Sequence, residues 1–362
     1  MKNKANNNEP FIAVIVLGYN DRNNLKDTMD SVLNQSYTNY KTIYIDNAST
    51  DNSFEFVREN YPQIQLIRNK KNLGYAGAYK KILDELFNNR PKSKVFEAIV
   101  LLNSDIVVDY NWLRELSISA FSSRKIALAQ PKIFLYRNNK KTDLINTFGN
   151  NINYLGFGFC GNYKKRDLPK IKNDKEIVYA SGCSLLIKKD AYLNSSGGLD
   201  NKFFAYLEDQ DLGWRLQMNN YKIILSAKSI MWHKYIFQRN ERNKWKFYML
   251  ERNRLFFIFK NYQTKTIILL LPIFLFIEIG VVLDSLTKGY FTDKIKGYVD
   301  FIKSIKILKK DRNKIQRKRK LSDRQLFDKF SPTIEFEEVD NFLLKITNLF
   351  LLAYYKIIKL FI

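Results

Sequence analysis

Short apolar segments alternate with amphipathic segments along the N-terminal part of the chain, and this alternation limits the possible folds more than any other feature. Four apolar runs have the length and the β-branched content of strands, at residues 11–17, 40–46, 64–69 and 96–103. Between them, apolar residues recur at the spacing of an amphipathic helix. Strands that alternate with helices favour an α/β fold with a mostly parallel, doubly wound sheet.

Polar clusters follow these runs, at residues 19–21, 46–51, 72–77 and 103–105. In a doubly wound sheet, ligands bind beyond the carboxyl ends of the strands, and so we expect a binding site where the clusters meet. The last cluster, Asn-Ser-Asp, is also typical of a simple turn. The alternative is that its aspartate holds a divalent cation together with a diphosphate, because such cations prefer oxygen ligands.

The second half of the chain contains further polar features. Glu208, Asp209 and Asp211 lie at a predicted helix start, where acids either interact favourably with the helix dipole or supply a general base. His233 is the only histidine, and it is either a structural residue or a metal ligand. Residues 156–161 match a dinucleotide fingerprint, but no helix start follows them, and a flexible loop near a substrate is the preferred interpretation.

The chain is strongly basic, with a formal net charge of +24, and 46% of its residues are hydrophobic. The hydrophobic content predicts a sizeable core. The charge indicates an anionic partner: nucleic acid, an anionic membrane or a phosphate-bearing substrate. Specific nucleic-acid binding is not expected, because the densest part of the basic run, residues 303–320, lacks interleaved stacking aromatics and the run has no recognised binding fold. Cys160 and Cys183 form no disulfide or metal-binding pattern and are compatible with the cytosol.

A change in composition divides the chain into a first domain at residues 1–262 and a second region at 263–362. An apolar run in the second region, at 267–277, meets Glu278 and Asp284. The run is barely long enough for a transmembrane helix. Because of the acids, peripheral or monotopic membrane attachment is favoured over a span.

The rest of the C-terminal region is basic and amphipathic. Residues 294–320 contain twelve Lys or Arg, and the last predicted helix places four polar residues on one face: Lys345, Asn348, Lys356 and Lys359. Basic amphipathic helices with aromatic residues are typical of proteins at an anionic membrane surface. An ordinary helical subdomain with a solvated basic face is the alternative.

An ordered set of motifs carries a resemblance to a known family. The chain resembles the family 2 glycosyltransferases of the GT-A fold, close to their rhamnosyltransferase-like branch, over roughly residues 11–260. The matching segments, in chain order, are VIVLGYN, YIDNASTDNS, NLGYAGAYK, LLNSDIVV, SGCSLLIKK, GGLDNKFFAYLEDQDLGWRL and WH. The resemblance implies an α/β, GT-A (Rossmann-like) nucleotide-sugar-binding domain, and the composition of residues 263–362 predicts a helical extension that associates with a membrane.

The resemblance also implies roles for individual residues. The implied nucleotide-binding residues are Tyr19, Asn20, Asp46, Asn47, Asn72, Gly74, Asn103 and Ser104. Among them, Asp46 corresponds to the acid that hydrogen-bonds a pyrimidine base. Asp105 is the last acid of the family's Asp-x-Asp metal motif, and Asn103 stands in place of the first acid. His233 matches the histidine that can complete the site for Mg²⁺ or Mn²⁺.

The reaction implied by the resemblance is an inverting, metal-dependent sugar transfer. Asp209 matches the catalytic base, with Glu208 beside it, and Arg252 and Arg254 are further candidates for contact with the diphosphate. The donor would be a pyrimidine nucleotide sugar, dTDP-rhamnose or a UDP-sugar. The acceptor would be a hydroxyl of a lipid-linked glycan at the cytoplasmic face of the cell membrane, in the assembly of a cell-surface polysaccharide or glycoconjugate.

Three other functions were weighed against this one. A processive polysaccharide synthase is disfavoured, because the Gln-x-x-Arg-Trp motif and an array of membrane spans are absent from the sequence. A catalytically inactive, membrane-bound scaffold is disfavoured, because Asp105, Asp209 and His233 are all retained. A basic nucleic-acid-binding protein would bind DNA through charge and without sequence specificity.

Overall fold

The computed structural model describes residues 9–88, 95–235, 241–337 and 342–362. Within these ranges, the strands are β1 (Ile12–Gly18), β2 (Tyr40–Asp46), β3 (Gln65–Arg68), β4 (Ala98–Asn103), β5 (Ile106–Val108), β6 (Ile126–Arg137), β7 (Lys140–Thr147), β8 (Asn150–Ile152), β9 (Gly158–Cys160), β10 (Lys175–Glu176), β11 (Ser184–Lys188) and β12 (Lys222–His233). The helices are α1 (Arg22–Leu33), α2 (Ser53–Asn60), α3 (Gly74–Asn88), α4 (Trp112–Phe121), α5 (Lys189–Leu193), α6 (Glu208–Met218), α7 (Glu241–Asn261), α8 (Thr264–Thr287), α9 (Phe291–Lys318), α10 (Asp323–Leu326) and α11 (Phe342–Ile358).

One large mixed sheet forms the centre of the molecule. Its strand order is β10–β12–β6–β11–β4–β1–β2–β3, with β5 added to β12 and β7 added to β6. The strands β4, β1, β2 and β3 are parallel, which confirms the α/β fold predicted for this part. β11 enters between β4 and β6 in the opposite direction, and β12 is again parallel to β6. The sheet is therefore mixed in its second half rather than parallel throughout.

The first strand shows why the strand segments appear as continuous apolar runs in the sequence. Ile12, Val14 and Val16 face one hydrophobic core, whereas Ala13 and Ile15 face a second core on the opposite side of the sheet. All five side chains are fully buried. A strand that is covered on both faces needs apolar residues at consecutive positions. Such a strand becomes polar only where it leaves the two cores, at its carboxyl end.

The middle of the chain differs from the expectation in two places. The segment that matches the dinucleotide fingerprint contains β9, which pairs with β8 in a separate two-stranded sheet and is not an irregular loop. Gly158 in β9 is required by packing, because a Cβ atom there would lie 2.1 Å from Gln210 Oε1. The segment that ends at His233 is one strand, β12, with a register shift between Ser226 and Ile230, rather than a pair of strands.

The C-terminal helices share a third hydrophobic core with residues that precede them in the chain. Trp214 of α6 stacks on Phe330 with ring centroids 4.3 Å apart, so the C-terminal region packs against the helix that carries the acidic cluster. Among the described residues, α8 is the one helix that is long and apolar enough to cross a membrane, judged by length and composition. It has 24 residues, which makes it longer than the apolar run visible in the sequence.

Candidate active site

The turn after β4 brings Asp105 next to His233. β5 begins directly after this turn and pairs antiparallel with β12, which places Ile106 opposite His233. Asp105 Oδ2 consequently lies 3.3 Å from His233 Nε2. The other ring nitrogen, Nδ1, lies 3.0 Å from Asn146 Oδ1 on β7. Because an amide oxygen accepts hydrogen bonds, Nδ1 carries the hydrogen, and Nε2 is the nitrogen that faces Asp105.

The pair of Asp105 and His233 fits a divalent cation. Asp105 Oδ1 is buried and has no hydrogen-bond partner in the part of the chain that the structure describes. Burial opposes a charge on His233, but the adjacent Asp105 carboxylate raises the pKa of His233 well above its ordinary value. A cation bound at His233 Nε2 would take the place of a proton there, because a metal-bound imidazole is neutral. The described residues contain no group of three or more His, Cys, Asp or Glu suited to a metal, so a cation here would take its other ligands from a diphosphate and water.

Ser104 and Asp21 hold the turn before Asp105 in place. Ser104 Oγ donates a hydrogen bond of 2.7 Å to Asp21 Oδ2, and Thr28 Oγ1 of α1 lies 2.7 Å from the Ser104 carbonyl oxygen. Burial raises the pKa of Asp21 despite the Ser104 hydroxyl, and the Asp105 charge adds to this rise. Through these two bonds, Ser104 stabilises the turn that carries Asp105. Asp21, which was not singled out from the sequence, is the last residue of the polar cluster after β1.

Asp46 presents an unpaired carboxylate oxygen at the carboxyl end of β2. Its side chain is fully buried. Its Oδ2 atom accepts a hydrogen bond of 3.1 Å from the Ser49 backbone N–H and lies 3.6 Å from Arg68 Nε. Its Oδ1 atom has no hydrogen-bond partner among the described residues. A buried acceptor of this kind is normally satisfied, so Oδ1 is suited to an N–H group of a ligand.

Asn47 organises the loop that leads into α3. Its Nδ2 atom donates to Asn72 Oδ1 over 2.8 Å, and its Oδ1 atom accepts from the Leu73 backbone N–H over 3.1 Å. Asn72 Oδ1 also accepts from the Gly74 backbone N–H over 2.8 Å. Gly74 has a φ of +69°, and a Cβ atom there would lie 2.3 Å from the Phe204 carbonyl oxygen. The three predicted residues 47, 72 and 74 are thus brought together, and their side chains shape the backbone of the loop.

Three further predicted nucleotide contacts lie around the same edge of the sheet. The ring of Tyr19 is 49% exposed, so it is open to a ligand. Asn20 has a φ of +52°, and its Oδ1 atom accepts from the Thr50 backbone N–H over 2.8 Å. The Asn103 backbone N–H donates to the Cys183 carbonyl oxygen over 3.0 Å. Asn20 therefore joins the first two polar clusters, and Asn103 joins β4 to the segment before β11.

The first turn of α6 presents two carboxylates with different surroundings. Asp209 is half-buried; its Oδ2 atom accepts from the Gly182 backbone N–H over 2.7 Å, and its Oδ1 atom accepts from the Gln210 backbone N–H over 2.8 Å. Glu208 is buried, and within the described residues its Oε2 atom has no hydrogen-bond partner. Burial raises the pKa of both carboxyl groups, and the Asp209 charge raises the pKa of Glu208 further. Asp209 is therefore the carboxylate that a substrate can reach.

The third acid of the cluster is a structural residue. Asp211 is fully buried and forms ion pairs with Arg215 Nη2 at 2.8 Å and with Lys260 Nζ at 3.1 Å. Asn261 Nδ2 of α7 also donates to Asp211 Oδ1 over 2.8 Å. Although burial opposes its charge, the two cations hold the pKa of Asp211 below its ordinary value. Asp211 therefore fastens α6 to α7.

Residues 182 and 183 connect the carboxylate of α6 to the turn after β4. Gly182 binds Asp209 through its N–H, and Cys183 accepts the N–H of Asn103 through its carbonyl oxygen. The Cys183 thiol also lies against His233. Asp209 and the pair of Asp105 and His233 are consequently both connected to one short segment at the carboxyl end of the central strands.

The segment before α6 has a strained backbone that a residue of α7 supports. Phe204, Tyr206 and Leu207 have φ values of +63°, +68° and +64°, in a region that non-glycine residues rarely adopt. Asn253 Nδ2 lies 2.9 Å from the Ala205 carbonyl oxygen and 2.7 Å from that of Tyr206. Asn253 was not singled out from the sequence. Its neighbours Glu251, Arg252 and Arg254 are all charged, so the local sequence contains no pattern that distinguishes it.

The arginines on either side of Asn253 bind protein groups. Arg252 Nη2 donates to the carbonyl oxygens of Lys202, over 3.1 Å, and Phe203, over 3.0 Å. Arg254 is 1% exposed and is bound by carboxylates of α7 and α8. The expected contact of Arg254 with a diphosphate is wrong for this structure, because its guanidinium is enclosed in the buried ion pairs.

Comparison with known proteins agrees with this geometry. Residues 13–192 match the family model described as "Glycosyl transferase family 2". The chain is 22% identical over 237 residues to an N-acetylglucosaminyl-diphospho-decaprenol L-rhamnosyltransferase of Mycobacterium tuberculosis. This match covers 62% of our chain and 76% of that protein. It is 32% identical over 79 residues to the putative teichuronic acid biosynthesis glycosyltransferase TuaG of Bacillus subtilis, which covers 21% of this chain and 31% of that protein.

A solved structure shows the same fold. The crystal structure of GalNAc-T7 with UDP, GalNAc and Mn²⁺ matches with a TM-score of 0.56 and 14% sequence identity. The match covers 72% of this chain and 49% of that chain, so our chain spans about half the length of GalNAc-T7. At this level of identity the likeness concerns the fold alone. With the family model and the GT-A-like sheet in agreement, the chain belongs to the family 2 glycosyltransferases.

Proposed function

We propose that the chain catalyses an inverting, metal-dependent sugar transfer from a pyrimidine nucleotide diphosphate sugar to a hydroxyl group. One observation carries the proposal: the pair of Asp105 and His233 and the half-buried Asp209 both contact the short segment of residues 182–183. A diphosphate at the first group and a hydroxyl at the second would leave a sugar between them. This is the arrangement that a single displacement at an anomeric carbon requires.

The nucleotide part of the donor would bind at the ends of β1 and β2. Asp46 Oδ1, which is buried and unpaired within the described residues, would accept an N–H of the pyrimidine base. The exposed ring of Tyr19 would pack against the nucleotide. Asp105 and His233 would hold Mg²⁺ or Mn²⁺ next to the diphosphate, where the ion would neutralise the charge that develops on the leaving group.

Asp209 would act as the general base. Its carboxylate takes the proton of the acceptor hydroxyl while that oxygen forms a bond to the anomeric carbon. The bond between the anomeric carbon and the diphosphate oxygen breaks in the same step, and the diphosphate leaves with its electron pair. Attack from the side opposite the leaving group inverts the anomeric configuration. A carboxyl pKa raised by burial suits a base that works near neutral pH.

The names of the relatives support a donor and an acceptor class. The Mycobacterium tuberculosis relative is named for rhamnosyl transfer to a decaprenol-linked sugar. We therefore infer dTDP-rhamnose or a UDP-sugar as donor, and a lipid-linked glycan of a cell-surface polysaccharide or glycoconjugate as acceptor. The site would work at the cytoplasmic face of the cell membrane, with residues 1–262 as the catalytic domain and 263–362 as the membrane-associating region.

The test is a screen of nucleotide sugars with the full chain and its Asp209→Asn variant. We expect one pyrimidine nucleotide sugar to raise the thermal midpoint and to be hydrolysed in the presence of Mn²⁺. Asp209→Asn should lower transfer by about 100- to 10,000-fold while the thermal shift with the nucleotide remains. Asp143→Asn, at an exposed ion pair with Arg166, is the control and should change neither quantity. Substantial turnover by Asp209→Asn would exclude its role as base, and the absence of any nucleotide-sugar response would exclude the function.

A further inference from the structure

The outer face of α8 is apolar from Ile268 to Leu283, and Asp284 near the end of the helix forms an ion pair with Lys288. Leu271, Leu275, Phe276 and Ile279 lie on this face, and each is between 48% and 62% exposed. The charged residues Lys265 and Lys288 lie at or just beyond the two ends of the helix. An exposed apolar face of this length on a soluble surface normally marks a contact with another apolar phase.

The helix α11 extends the same face. Phe276 of α8 and Phe350 of α11 have ring centroids 5.6 Å apart, although each is 53% exposed. Tyr354 Oη donates to the Leu269 carbonyl oxygen over 2.7 Å, which fixes α11 against α8. We use the name lipid patch for the joint surface of Leu271, Leu275, Phe276 and Ile279 of α8 with Leu349 and Phe350 of α11.

The inner face of α8 is bound to charged groups of the protein. Glu278 forms ion pairs with Arg254 of α7 and with Lys294 of α9, the latter at 2.8 Å. Tyr298 also donates a hydrogen bond to Glu278. Burial opposes the charge on Glu278, but the two cations lower its pKa to about 2. A helix that crossed the bilayer alone would have to leave these partners and carry a charged carboxylate into hydrocarbon.

The helix behind α8 exposes basic as well as apolar side chains. α9 packs against α8 and α7, and its exposed lysines include Lys303, Lys306, Lys310 and Lys314. On α11, Lys356 is exposed, and the exposed Lys359 forms an ion pair with Asp328. Long basic side chains beside an apolar surface suit the boundary of an anionic bilayer, where the amines contact headgroups and the apolar residues contact acyl chains.

One predicted feature of α11 is different in the structure. Asn348 was expected on a polar face with three lysines. Its side chain instead accepts from the Ile334 backbone N–H and donates to the Ile334 carbonyl oxygen, both over 2.9 Å. Asn348 therefore attaches α11 to the protein, and the outward side of the helix is left to apolar residues.

We infer that α8 and α11 lie in the plane of an anionic lipid surface, with the lipid patch immersed among the acyl chains, and that α8 does not cross the bilayer. The inference deepens the proposed function and rests on it for the membrane-bound acceptor, because it assigns how the chain meets the membrane. The argument for lipid as the occupant is charge complementarity, since the helices that carry the patch also carry exposed lysines: Lys265 and Lys288 at the ends of α8, and Lys356 on α11.

The first test is flotation of the full chain with phosphatidylcholine vesicles that contain or lack phosphatidylglycerol. We expect binding to the anionic vesicles and a loss of about tenfold or more in the variant with Leu275→Glu and Phe350→Glu, because two apolar side chains would leave the acyl chains. Ile118→Glu on α4, which replaces a residue of similar exposure, is the control and should bind like the unchanged chain. Thermal midpoints of all variants establish that they are folded.

The second test measures orientation. Spin labels at Leu271→Cys, Leu275→Cys, Ile279→Cys and Leu283→Cys, in a background with Cys160→Ser and Cys183→Ser, report immersion depth on vesicles. A helix in the membrane plane places all four labels at nearly the same depth. A spanning helix would separate the first and the last of them by about 18 Å, since a helix rises about 1.5 Å per residue. A gradient of depth along the helix would overturn the inference.

The outcomes separate this inference from the proposed function. Hydrolysis of nucleotide sugars in solution does not need the lipid patch, so the patch variant should retain it. Hydrolysis without vesicle binding would overturn the inference alone, and vesicle binding without hydrolysis would overturn the proposed function alone. If light scattering shows a dimer that the patch variant dissociates, and vesicles are not bound, the patch is occupied by a second copy of the chain and the inference is wrong.

Discussion

Gly182 donates its backbone N–H to Asp209 Oδ2 over 2.7 Å, and this bond connects the segment before β11 to the first turn of α6. The bond stabilises the charged form of Asp209, whereas burial of the carboxyl group opposes it. Burial has the larger effect, so the pKa of Asp209 is raised. The same bond fixes the direction of the carboxylate, because it holds one oxygen while the side chain remains half-exposed.

The raised pKa of Asp209 leads to a prediction for the pH dependence of activity. A general base is active when deprotonated, so kcat/KM should rise with pH through a pKa above the ordinary value of about 3.9 for aspartate. Burial and the adjacent Asp209 charge raise the pKa of Glu208 well above its ordinary value, so a charged Glu208 is disfavoured beside a charged Asp209. In Glu208→Gln, kcat/KM should therefore rise with pH over the same range as in the unchanged chain, which a pH profile of kcat/KM measures. A large shift of this rise to lower pH in the variant would contradict the assignment of Asp209 as the titrating base.

The same residue leads to a separate prediction for stability. Folding raises the pKa of Glu208, so the folded state prefers the protonated acid and loses stability as pH rises through the unfolded value of about 4.3. Glu208→Gln should therefore raise the thermal midpoint at neutral pH, and the difference from the unchanged chain should vanish below about pH 4. Glu59→Gln, at an exposed glutamate, is the control with no such difference. A midpoint difference that is independent of pH would exclude this explanation.

Asn253 should act as a positioning residue for Asp209. Asn253→Ala removes the donor that supports the strained segment before α6, and so the carboxylates of α6 lose their direction. We expect kcat to fall by about 100-fold with the donor KM unchanged. Asn253→Asp has the same shape but no N–H and should be equally impaired, whereas Asn313→Ala, at an exposed amide of α9, should be normal. A loss of thermal stability in Asn253→Ala and Asn253→Asp without a fall in kcat would indicate that Asn253 has only a structural role.

Asp105 should be required for the response to metal. Asp105→Asn removes the unpaired carboxylate oxygen at the proposed cation site. We expect the Mn²⁺-dependent gain in nucleotide affinity to fall by about 100-fold or more, because removal even of an outer-shell partner of a metal ligand costs about 10- to 100-fold. Calorimetric titration of the nucleotide with and without Mn²⁺ measures this. Asp143→Asn is the control, and a metal response that survives in Asp105→Asn would place the cation elsewhere.

The buried ion pairs of Arg254 should be essential for stability. Arg254→Ala leaves Glu251 and Glu278 close to each other without the arginine between them. Removal of one partner from a buried pair destabilises a protein by about 3 to 5 kcal/mol, which denaturant unfolding of the full chain would show. Arg58→Ala, at an exposed pair with Glu59, should cost less than about 1 kcal/mol. Similar costs for the two variants would show that the buried pairs do not hold α7 and α8 together.

Local sequence patterns were sufficient for the strands and for most of the candidate site. The continuous apolar runs predicted β1 to β4 because both faces of these strands are buried. The polar clusters predicted where β1, β2 and β4 end, since polar side chains are tolerated where a strand leaves its cores; the binding of a ligand there stays a prediction. The prediction was less accurate for β11 and β12, whose direction and pairing depend on contacts far apart in the chain.

The sequence by itself determined the α/β sheet, the family and the set of acidic, amide and histidine residues that could act. Only the tertiary structure decided which of them meet: the pairing of β5 with β12 puts His233 beside Asp105, and the ion pairs of Lys260 and Arg215 remove Asp211 from the site. It also decided which face of α8 is exposed. The physical reason is that charge pairing and strand register are interactions between distant segments, whereas hydrophobic periodicity is a property of neighbouring residues.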